Sequence, residues 1–502
     1  MDSLYLIKTN NNNHYFVNLL QKRIIYCHPI VLQIFRLWVK NSSNFNLDFI
    51  AEQLSNFDGN QLKYYFKKTR EFIEEGFLVN TSIKRLGREE MLPEQIKGWL
   101  VNSRQVTFEV TETCNLNCKY CGFGELYSEE DSRTKAKMDS RVAIRFLEYM
   151  RSYWNSSNNR SHNKYIVIGF YGGEPLLNIE FIRTVTDFVD KSDFKHNRIV
   201  YNMTTNGVLL DKYIDFLVEQ NFMLTISLDG NEIHNSYRVQ KDSGESFNKV
   251  FKNVEFIQKK YPDFFKENVS FNSVLHDRNN IEDILLFFEK KFDKVPSINQ
   301  LTEAGIKEDK KDLFLKMFKS SFLSLNESRD LDYLKNKMKI TYPGNQDRTF
   351  LLNTLLENTF HTFNDLLIDE KVNVIEKFPT GTCYPFTRKI FVSATGKILP
   401  CESISHKFSL GEVTSKDVEL NFNSVSDRYK KYYSSIKNQC QSCYNFHMCK
   451  ECFYKIEGIG EIAICDRFMD LANFKKYLTN SLTYFEDNPL LYENLMEENI
   501  LL

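Results

Sequence analysis

The sequence predicts an α/β protein built on a partial (β/α)6 barrel, with a winged-helix-like module before it and a cysteine-rich domain after it. Three observations support this. The 502 residues, 42% of them hydrophobic, exceed what a single core organises. Short β-branched runs alternate with amphipathic helical patterns between residues 104 and 305. The 11 cysteines form separate groups, with none between residues 122 and 382.

The sequence of residues 1–95 predicts a separate module that binds DNA or a peptide. Strand patterns at 14–18 and 23–27 are followed by helical patterns starting at Pro29 and covering 47–54 and 61–76. Three helices after a hairpin are typical of a winged helix, which usually binds DNA. The third helix, however, offsets its basic residues with Glu71, Glu74 and Glu75, so peptide binding is at least as good an interpretation.

The barrel is predicted from successive strand and helix patterns. The strands are Val106–Thr113, Tyr165–Tyr171, Ile199–Thr205, Met223–Leu228, Val269–Leu275 and Ser297–Leu301. The helices between them are Arg141–Trp154, Ile179–Val189, Asp211–Glu219, Phe247–Lys259 and Ile281–Phe292. Successive βα units predict a parallel sheet whose functional site lies at the carboxyl ends of the strands.

Charge and hydropathy exclude several classes of protein. The net charge of -1 provides no uniform field for nucleic acid or an anionic membrane. The first residues lack an apolar signal core, and the apolar stretch 24–39 is too short and too polar to span a bilayer. We therefore expect a cytoplasmic protein without nucleic-acid or membrane partners. A reducing compartment makes clustered cysteines candidates for metal or redox sites.

Cys114, Cys118 and Cys121 form a C-x3-C-x2-C motif directly after the first barrel strand. Structural zinc sites have four ligands, whereas a [4Fe-4S] cluster held by three thiolates leaves one iron free to bind a small molecule. Taken alone, the triplet also fits a zinc site or a chance arrangement. With Tyr120 before the last cysteine, the spacing resembles the radical S-adenosylmethionine (SAM) superfamily, and the resemblance adds Tyr120 to the cofactor-binding residues.

Polar or glycine-rich segments also end the next three strands. They are Gly172-Gly173-Glu174-Pro175, Thr204-Thr205-Asn206-Gly207 and Ser227-Leu228-Asp229-Gly230. Taken alone, the segment beginning at Gly172 would usually be only a turn. Here it ends a predicted strand, and all of these strand ends are expected at one face of the sheet. The resemblance assigns the Gly172, Gly173 and Glu174 turn to the amino group of SAM, with Glu174 as an acceptor, and includes Asn206 in the SAM site. It assigns Ser227 and Arg238 to the SAM carboxylate, although Arg238 equally fits a surface loop.

The resemblance implies a defined chemistry. The open iron chelates SAM, and an electron from the reduced cluster cleaves the sulfonium bond to a 5'-deoxyadenosyl radical. The radical abstracts a hydrogen from an inert carbon while the protein positions the substrate. An external electron donor, such as a flavodoxin or ferredoxin, is the expected partner for this step.

Seven cysteines lie between residues 383 and 465: Cys383, Cys401, Cys440, Cys443, Cys449, Cys452 and Cys465. The last four before Cys465 would by themselves satisfy a zinc ribbon. After a radical SAM barrel, the pattern resembles the SPASM extension, which carries two auxiliary [4Fe-4S] clusters. That family usually spaces its last pair as C-x3-C, whereas Cys449 and Cys452 are separated by two residues, which puts the Cys452 ligand in question. Three [4Fe-4S] clusters are therefore expected in total.

The interleaving of that family groups Cys440, Cys443, Cys449 and Cys465 in one auxiliary cluster. Cys383, Cys401 and Cys452 would hold the other, which is one cysteine short. A substrate thiolate suits the open iron. The alternatives for this additional ligand are water, a non-cysteine side chain, a neighbouring chain or Cys27. The isolated Cys27 is better interpreted as a buried apolar residue. His234, His276 and His447 lack partners at metal-ligand spacing and are interpreted as structural or surface residues.

The whole pattern resembles maturases of ribosomally synthesised and post-translationally modified peptides (RiPPs). In that resemblance, residues 1–95 are a RiPP recognition element that binds the leader of a precursor peptide, 306–380 form a helical bridge, 381–466 form the SPASM domain, and 467–502 form a helical cap. The implied activity is an oxidative crosslink, a thioether in the favoured case. The alternatives are a carbon-carbon or carbon-oxygen crosslink, an anaerobic sulfatase-maturating oxidase, an iron-sulfur redox-sensing DNA-binding regulator, and an inactive peptide-binding scaffold.

Overall fold

The computed structural model describes residues 4–19, 21, 23–41, 45–79, 91–127, 134–161, 164–194, 198–242, 244–302, 305–329, 334, 380–446, 449 and 451–489. The chain divides into two compact units. One comprises Met1–Glu89, Gly344–Thr382 and Tyr432–Leu502, and the other comprises Glu90–Pro343 and Cys383–Lys431. Most of the predicted helical bridge, His447 and the last residues of the predicted cap lie outside the described residues. The five-part division of the chain stays a prediction.

The first unit begins with a three-stranded antiparallel sheet and three helices. The strands are β1 (Leu4–Lys8), β2 (His14–Asn18) and β3 (Arg23–Tyr26), in the order β1-β2-β3. The helices are α1 (Pro29–Lys40), α2 (Leu47–Gln53) and α3 (Gly59–Glu74). Both predicted strands and all three predicted helices are confirmed at this level, whereas β1 was not predicted.

Local chemistry explains where these helices begin. Pro29 occupies the first turn of α1, where its missing N–H costs nothing. Asn46 caps α2, and one Asp58 carboxylate oxygen accepts the N–H groups of Asn60 and Gln61, each at 3.0 Å, at the start of α3. Cys27 lies in the core beneath these elements, and burial raises the pKa of its thiol to about 12. The prediction that Cys27 is a buried apolar residue is confirmed.

The end of the chain completes the first unit. Helix α14 (Leu471–Asp487; α4 to α13 are introduced below) packs against β1, and its apolar residues Phe474, Leu478 and Leu482 share a core with Tyr5, Ile7 and Val17. The Thr479 hydroxyl donates to the Lys8 carbonyl oxygen at 3.1 Å. Tyr5 also contacts the ring of Tyr444 edge-on at 6.0 Å, and Tyr444 directly follows Cys443. The first strand is therefore held by the last described helix.

The second unit contains a ten-stranded sheet in the order β13-β12-β11-β10-β4-β5-β6-β7-β8-β9. Its parallel part is β4 (Gln105–Thr111), β5 (Tyr165–Gly172), β6 (Arg198–Thr205), β7 (Met223–Ser227), β8 (Val269–Leu275) and β9 (Ser297–Gln300). Neighbours in this part are consecutive in the chain and parallel. This confirms the predicted α/β fold with a mostly parallel central sheet.

Helices lie before, between and after these strands. They are α4 (Pro93–Val101), α5 (Ser140–Trp154), α6 (Ile179–Asp190), α7 (Leu210–Glu219), α8 (Phe247–Lys260), α9 (Pro262–Asn268), α10 (Ile281–Phe292), α11 (Lys311–Met317) and α12 (Ser321–Asn326). The five helices predicted between the strands are confirmed as α5, α6, α7, α8 and α10, whereas α4 and the short α9 were not predicted. None of the described helices is long and apolar enough to cross a membrane.

The cysteine-rich region extends the sheet. Strands β10 (Ile390–Val392), β11 (Lys397–Leu399), β12 (Gly411–Val413) and β13 (Val418–Glu419) precede helix α13 (Phe422–Ser442). β10 pairs parallel with β4, and β11 to β13 continue antiparallel. The buried Glu109 on β4 accepts the N–H of Ala394 at 3.0 Å, which ties the segment after Cys383 to the first barrel strand.

Candidate active site

The three cysteines of the first motif lie on the loop that follows β4. Backbone bonds anchor this loop: the N–H of Asn117 donates to Val239 at 2.8 Å and that of Lys119 to Tyr237 at 3.0 Å. The pKa of the Cys118 thiol is raised to about 12, chiefly by burial and in smaller part by the nearby Cys121 and Cys114. The loop therefore gathers three partly buried thiols next to the segment that contains Arg238.

Asn206, at the end of β6, contacts the first of these cysteines. Its side-chain amide nitrogen lies 3.6 Å from the Cys114 sulfur and donates to the side-chain oxygen of Asn115 at 2.7 Å. Hydrogen bonds to cysteine sulfur are one of the means by which proteins tune iron-sulfur clusters. The structure therefore places Asn206 against the cysteine loop, and its predicted place in the SAM site stays a prediction.

Glu174 makes structural contacts that the sequence did not predict. The carboxylate is fully buried, and it accepts the Thr205 hydroxyl at 2.8 Å, the Asn206 N–H at 2.8 Å and the Leu176 N–H at 3.1 Å. Burial raises the pKa of this carboxyl group to about 7, although these hydrogen bonds oppose the rise. The Glu174 side chain therefore joins the ends of β5 and β6, and its predicted contact with the SAM amino group stays a prediction.

The two glycines before Glu174 bring the strand end close to β4. Gly172 has φ +134°, and the Gly173 N–H donates to the Thr111 carbonyl oxygen at 2.7 Å. A Cβ added at Gly172 would lie 2.3 Å from that same Thr111 oxygen. Gly172 is therefore required both by its backbone conformation and by the close approach of β4.

We expect Gly172→Ala to destabilise the protein by about 1–3 kcal/mol, because alanine is strained at this φ and overlaps the Thr111 carbonyl. Thermal unfolding monitored by circular dichroism measures the effect. Gly98→Ala is the matched control, since Gly98 lies within α4 with nothing within 4 Å of an added Cβ. Alanine favours a helix, so the control should unfold at the same or a higher temperature. Equal melting temperatures for the two variants would contradict the assignment.

Arg238 is buried beside the cysteine loop. Its side chain is 9% exposed, and Nη2 donates to the Asp229 carboxylate at 2.9 Å. Burial alone would lower the pKa of Arg238, but Asp229, Tyr120 and Cys118 together raise it above its usual range. The alternative that Arg238 is a surface residue is therefore wrong. Ser227, the other residue predicted to bind the SAM carboxylate, ends β7 and is half-buried.

Asp229 and Tyr120 form the rest of this buried network. Asp229 is wholly enclosed, and it accepts the Tyr120 hydroxyl as well as Arg238. The Tyr120 ring lies 5.5 Å from the Arg238 guanidinium and stacks on His276. Sequence reasoning did not single out Asp229. The available signal was a carboxylate at a strand end nine residues before an arginine, since a buried acid requires a partner.

His234 and His276, interpreted as structural residues, are both buried beside Asp229. The His276 Nδ1 accepts the Arg278 N–H at 3.1 Å, and Nε2 lies 2.9 Å from the His234 carbonyl oxygen. Both ring nitrogens of His276 thus face backbone groups. A second buried acid, Glu112, accepts the Thr134 and Ala136 N–H groups. Although burial alone would raise the pKa of Glu112, these bonds hold it below its usual range.

The C-terminal cysteines fall into two groups, one in each unit. In the first unit, the pKa of the Cys449 thiol is raised to about 11, chiefly by burial and in smaller part by the nearby Cys443 and Cys465. The Cys443 sulfur accepts the Met469 N–H at 3.3 Å. Cys440 lies at the end of α13, and Cys452 precedes a short helical turn beginning at Phe453.

In the second unit, Cys401 has Cys383 as a close neighbour. Burial raises the pKa of the Cys401 thiol, and the nearby Cys383 raises it further. Within the described ranges, no three Cys, His, Asp or Glu side chains converge at the distance that a single metal ion requires. A [4Fe-4S] cluster is much larger than a single metal ion. Clustered thiols whose sulfur atoms accept backbone N–H groups are a set of ligands that fits such a cluster.

The sequence comparisons agree with this geometry. Residues 108–290 match the radical SAM superfamily. This segment covers β4 to most of α10, and so it includes the cysteine loop and the strand ends described above. The chain therefore contains a radical SAM domain, and domains of that superfamily use a [4Fe-4S] cluster with SAM.

Two characterised relatives extend beyond that domain. The cysteine-type anaerobic sulfatase-maturating enzyme of Clostridium novyi (strain NT) is 22% identical over 399 residues, which cover 74% of this chain and 96% of that enzyme. The radical SAM cyclopropyl synthase TigE of Paramaledivibacter caminithermalis is 24% identical over 404 residues, which cover 76% of this chain and 74% of TigE. The chain is thus related to sulfatase-maturating enzymes and to a cyclopropyl synthase.

One solved structure also aligns over most of the chain. Streptococcus suis SuiB bound to S-adenosylmethionine superposes with a TM-score of 0.40 at 13% identity, covering 90% of this chain and 94% of SuiB. SuiB has also been solved bound to its precursor peptide SuiA.

Proposed function

We propose that the protein is a radical SAM peptide maturase that cleaves SAM reductively, abstracts a hydrogen from a precursor peptide and installs an oxidative crosslink. The observation that carries the proposal is the meeting of the cysteine loop with the ends of β5, β6 and β7 in a radical SAM domain. A relative that matures sulfatases supports a polypeptide as the substrate class.

Each part of the proposed cofactor site has a candidate residue. Cys114, Cys118 and Cys121 would hold the [4Fe-4S] cluster, with the backbone of Gly172 and Gly173 near the SAM amino group. Ser227 and Arg238 would bind the SAM carboxylate, a charge-assisted contact that suits the guanidinium. When bound, the cluster and SAM supply a 5'-deoxyadenosyl radical, and an external flavodoxin or ferredoxin would supply the electron.

The C-terminal cysteines are proposed to hold two auxiliary [4Fe-4S] clusters. The proximity of Cys443, Cys449 and Cys465 supports one group, to which Cys440 belongs by sequence. The proximity of Cys383 and Cys401 supports the other group, to which Cys452 belongs by sequence. The second set has three cysteines, and a substrate thiolate is the proposed additional ligand.

A thioether is the favoured product. The substrate carbon loses its hydrogen atom, which becomes part of 5'-deoxyadenosine. The substrate sulfur loses its proton and bonds to that carbon, and the remaining electron leaves through the auxiliary clusters to the external carrier. The peptide therefore loses two hydrogens while one SAM is consumed.

Residues 1–95 are proposed to bind the leader of the precursor by strand addition. The outer edge of β1 is contacted by α14 at Lys8, whereas β3 is the opposite outer strand. The Cys27 N–H donates to the His14 carbonyl oxygen at 2.7 Å, and this register turns the backbone groups of Ile24 and Tyr26 away from β2. Those two residues are the proposed pairing positions.

Helix α3 favours a peptide over DNA as the partner. Two of its basic residues are closely paired within the helix: Lys68 lies 2.8 Å from Glu71, and Arg70 lies 2.9 Å from Glu74. Such exposed pairs add little stability. Their carboxylates do, however, neutralise positive charge that binding to a nucleic-acid phosphate backbone would require. Tyr26 and Tyr64 are more than half exposed and give the module aromatic surface for peptide side chains.

We expect Ile24→Pro to weaken leader binding at least about tenfold, because proline removes an outward N–H donor that the sheet itself does not use. Fluorescence anisotropy with a labelled leader peptide measures the binding constant. Ile24→Ala is the control, since it changes the side chain and keeps the N–H group, and it should bind the leader more tightly than the proline variant. Equal binding by the two variants would exclude strand addition at β3.

The proposed function is tested by anaerobic reduction of the protein with SAM, followed by co-expression with a precursor peptide. We expect 5'-deoxyadenosine, a product 2 Da lighter per crosslink, and one cysteine blocked against alkylation. Loss of two hydrogens with all thiols alkylatable would instead indicate a carbon-carbon or carbon-oxygen crosslink. An intact SAM pool would contradict the proposal and favour the regulator or scaffold alternatives.

A second candidate is supported by the relatives. The sulfatase-maturating enzyme of Clostridium novyi aligns over 96% of its length. Such an activity would oxidise one side chain without joining two, so a sulfatase-derived peptide would be modified in the absence of any leader. Turnover that requires the leader would exclude this candidate.

A further inference from the structure

Asp229 is a fully enclosed charged group near the cysteine loop. It is 0% exposed and lies two residues after β7. One carboxylate oxygen accepts the Arg238 Nη2 and the Val274 N–H, each at 2.9 Å, and the other oxygen accepts the Tyr120 hydroxyl. This carboxylate therefore connects three chain segments: the cysteine loop, the segment after β7, and β8.

Arg238 keeps donors that Asp229 does not use. The side chain is 9% exposed, and its Nε atom is buried without a hydrogen-bond partner within the described residues. A guanidinium has five N–H groups, and leaving a buried one unpaired is costly. This unpaired donor is an observation independent of the sequence motif, and it indicates an acceptor that the protein itself does not supply.

His276 leaves Asp229 free for this role. Because Nδ1 accepts the Arg278 N–H, the ring hydrogen is on Nε2, which faces the His234 carbonyl oxygen at 2.9 Å. Burial lowers the pKa of His276, so the ring is neutral at pH 7. The distance from Nε2 to the Asp229 carboxylate is 3.9 Å, beyond a hydrogen bond. Arg238 is thus the only cation among the described side chains bonded to Asp229.

We propose that Asp229 is a positioning residue for SAM: it fixes Arg238 so that the remaining guanidinium N–H groups meet the SAM carboxylate, and it fixes Tyr120 between Cys118 and Cys121. This rests on the proposed function. Asp229 also places a negative charge beside Arg238, whose positive charge acts on Cys118. Removing the carboxylate therefore changes both the orientation of the arginine and the net charge next to the cluster loop.

The test compares Asp229→Asn with Asp277→Asn. Asp277 accepts the Tyr237 hydroxyl at 3.0 Å and follows His276 directly, so the control removes a similar bond nearby without touching Arg238. In reconstituted protein with equal iron content, we expect Asp229→Asn to bind SAM at least about tenfold more weakly by equilibrium dialysis. We also expect its SAM-binding cluster to have a more positive midpoint potential, because a nearby negative charge is lost. The control should keep both values.

The two measurements separate positioning from a general loss of structure. Wild-type affinity and potential in Asp229→Asn would overturn the inference while leaving the proposed function intact. A wild-type protein that neither binds nor cleaves SAM would overturn both. If Asp229→Asn does not fold, Tyr120→Phe replaces it: this variant keeps the ring, loses one bond to Asp229, and should bind SAM several-fold more weakly than the control. Unchanged SAM affinity in Tyr120→Phe would then overturn the inference.

Discussion

Replacing Cys114 by alanine is expected to abolish formation of 5'-deoxyadenosine. Cys114 is the residue of the motif that also contacts Asn206, so its removal takes away one cluster thiolate and the partner of a strand-end amide. Two remaining thiolates do not hold a [4Fe-4S] cluster with one open iron. Chromatography of the nucleosides formed after anaerobic reduction with SAM measures the loss.

Iron analysis gives an independent readout for the same variant. With three clusters the wild-type protein should carry about twelve iron atoms per chain, and Cys114→Ala about eight. Cys27→Ala is the control, since Cys27 is a buried core thiol and is not proposed as a ligand. It should keep wild-type iron and SAM cleavage even if its melting temperature falls. Residual 5'-deoxyadenosine at the wild-type level in Cys114→Ala would refute the assignment.

Cys383→Ala should separate SAM cleavage from product formation. Cys383 lies beside Cys401 in the barrel unit but belongs to neither the cysteine loop nor the SAM-carboxylate residues. We expect iron near eight atoms per chain, SAM cleavage within about tenfold of the wild-type rate, and no crosslinked peptide. Mass spectrometry of a co-expressed precursor and nucleoside chromatography measure the two activities on the same protein.

The comparison between the two cysteine variants decides the role of the C-terminal region. If Cys383→Ala and Cys114→Ala lose SAM cleavage to the same extent, the C-terminal cysteines support the fold and not a later step. If the wild-type chain instead contains about four iron atoms together with zinc, the C-terminal cysteines form a zinc site and not auxiliary clusters. Crosslinked product from Cys383→Ala would remove this residue from the proposed electron path.

The regular elements of the barrel were predictable because their signals are local. β8 matches its predicted range of Val269–Leu275 from end to end, since alternating apolar residues mark one buried face whatever lies next to them. Strands β10 to β13 contain only two or three residues each, and they exist because β10 pairs with β4 nearly 300 positions earlier. A window of neighbouring residues does not contain that information.

The same distinction applies to the candidate site. Cys114, Asn206 and the glycine turn were identified from motifs, and the structure brings the first two into contact. The function of a buried carboxylate depends on which donors surround it, and these come from distant segments. For this reason Glu174 was assigned to a ligand although it joins two strand ends, and Asp229 was not assigned at all.

The packing of α14 on β1 has a consequence for how the chain is made. Tyr5, Ile7 and Val17 are synthesised more than 450 residues before their apolar partners Phe474, Leu478 and Leu482. During translation these strands therefore keep an uncovered apolar surface until residues 471–487 have been synthesised. A fragment that stops before residue 471 should precipitate or recruit chaperones, and adding residues 471–487 as a separate peptide should restore its solubility.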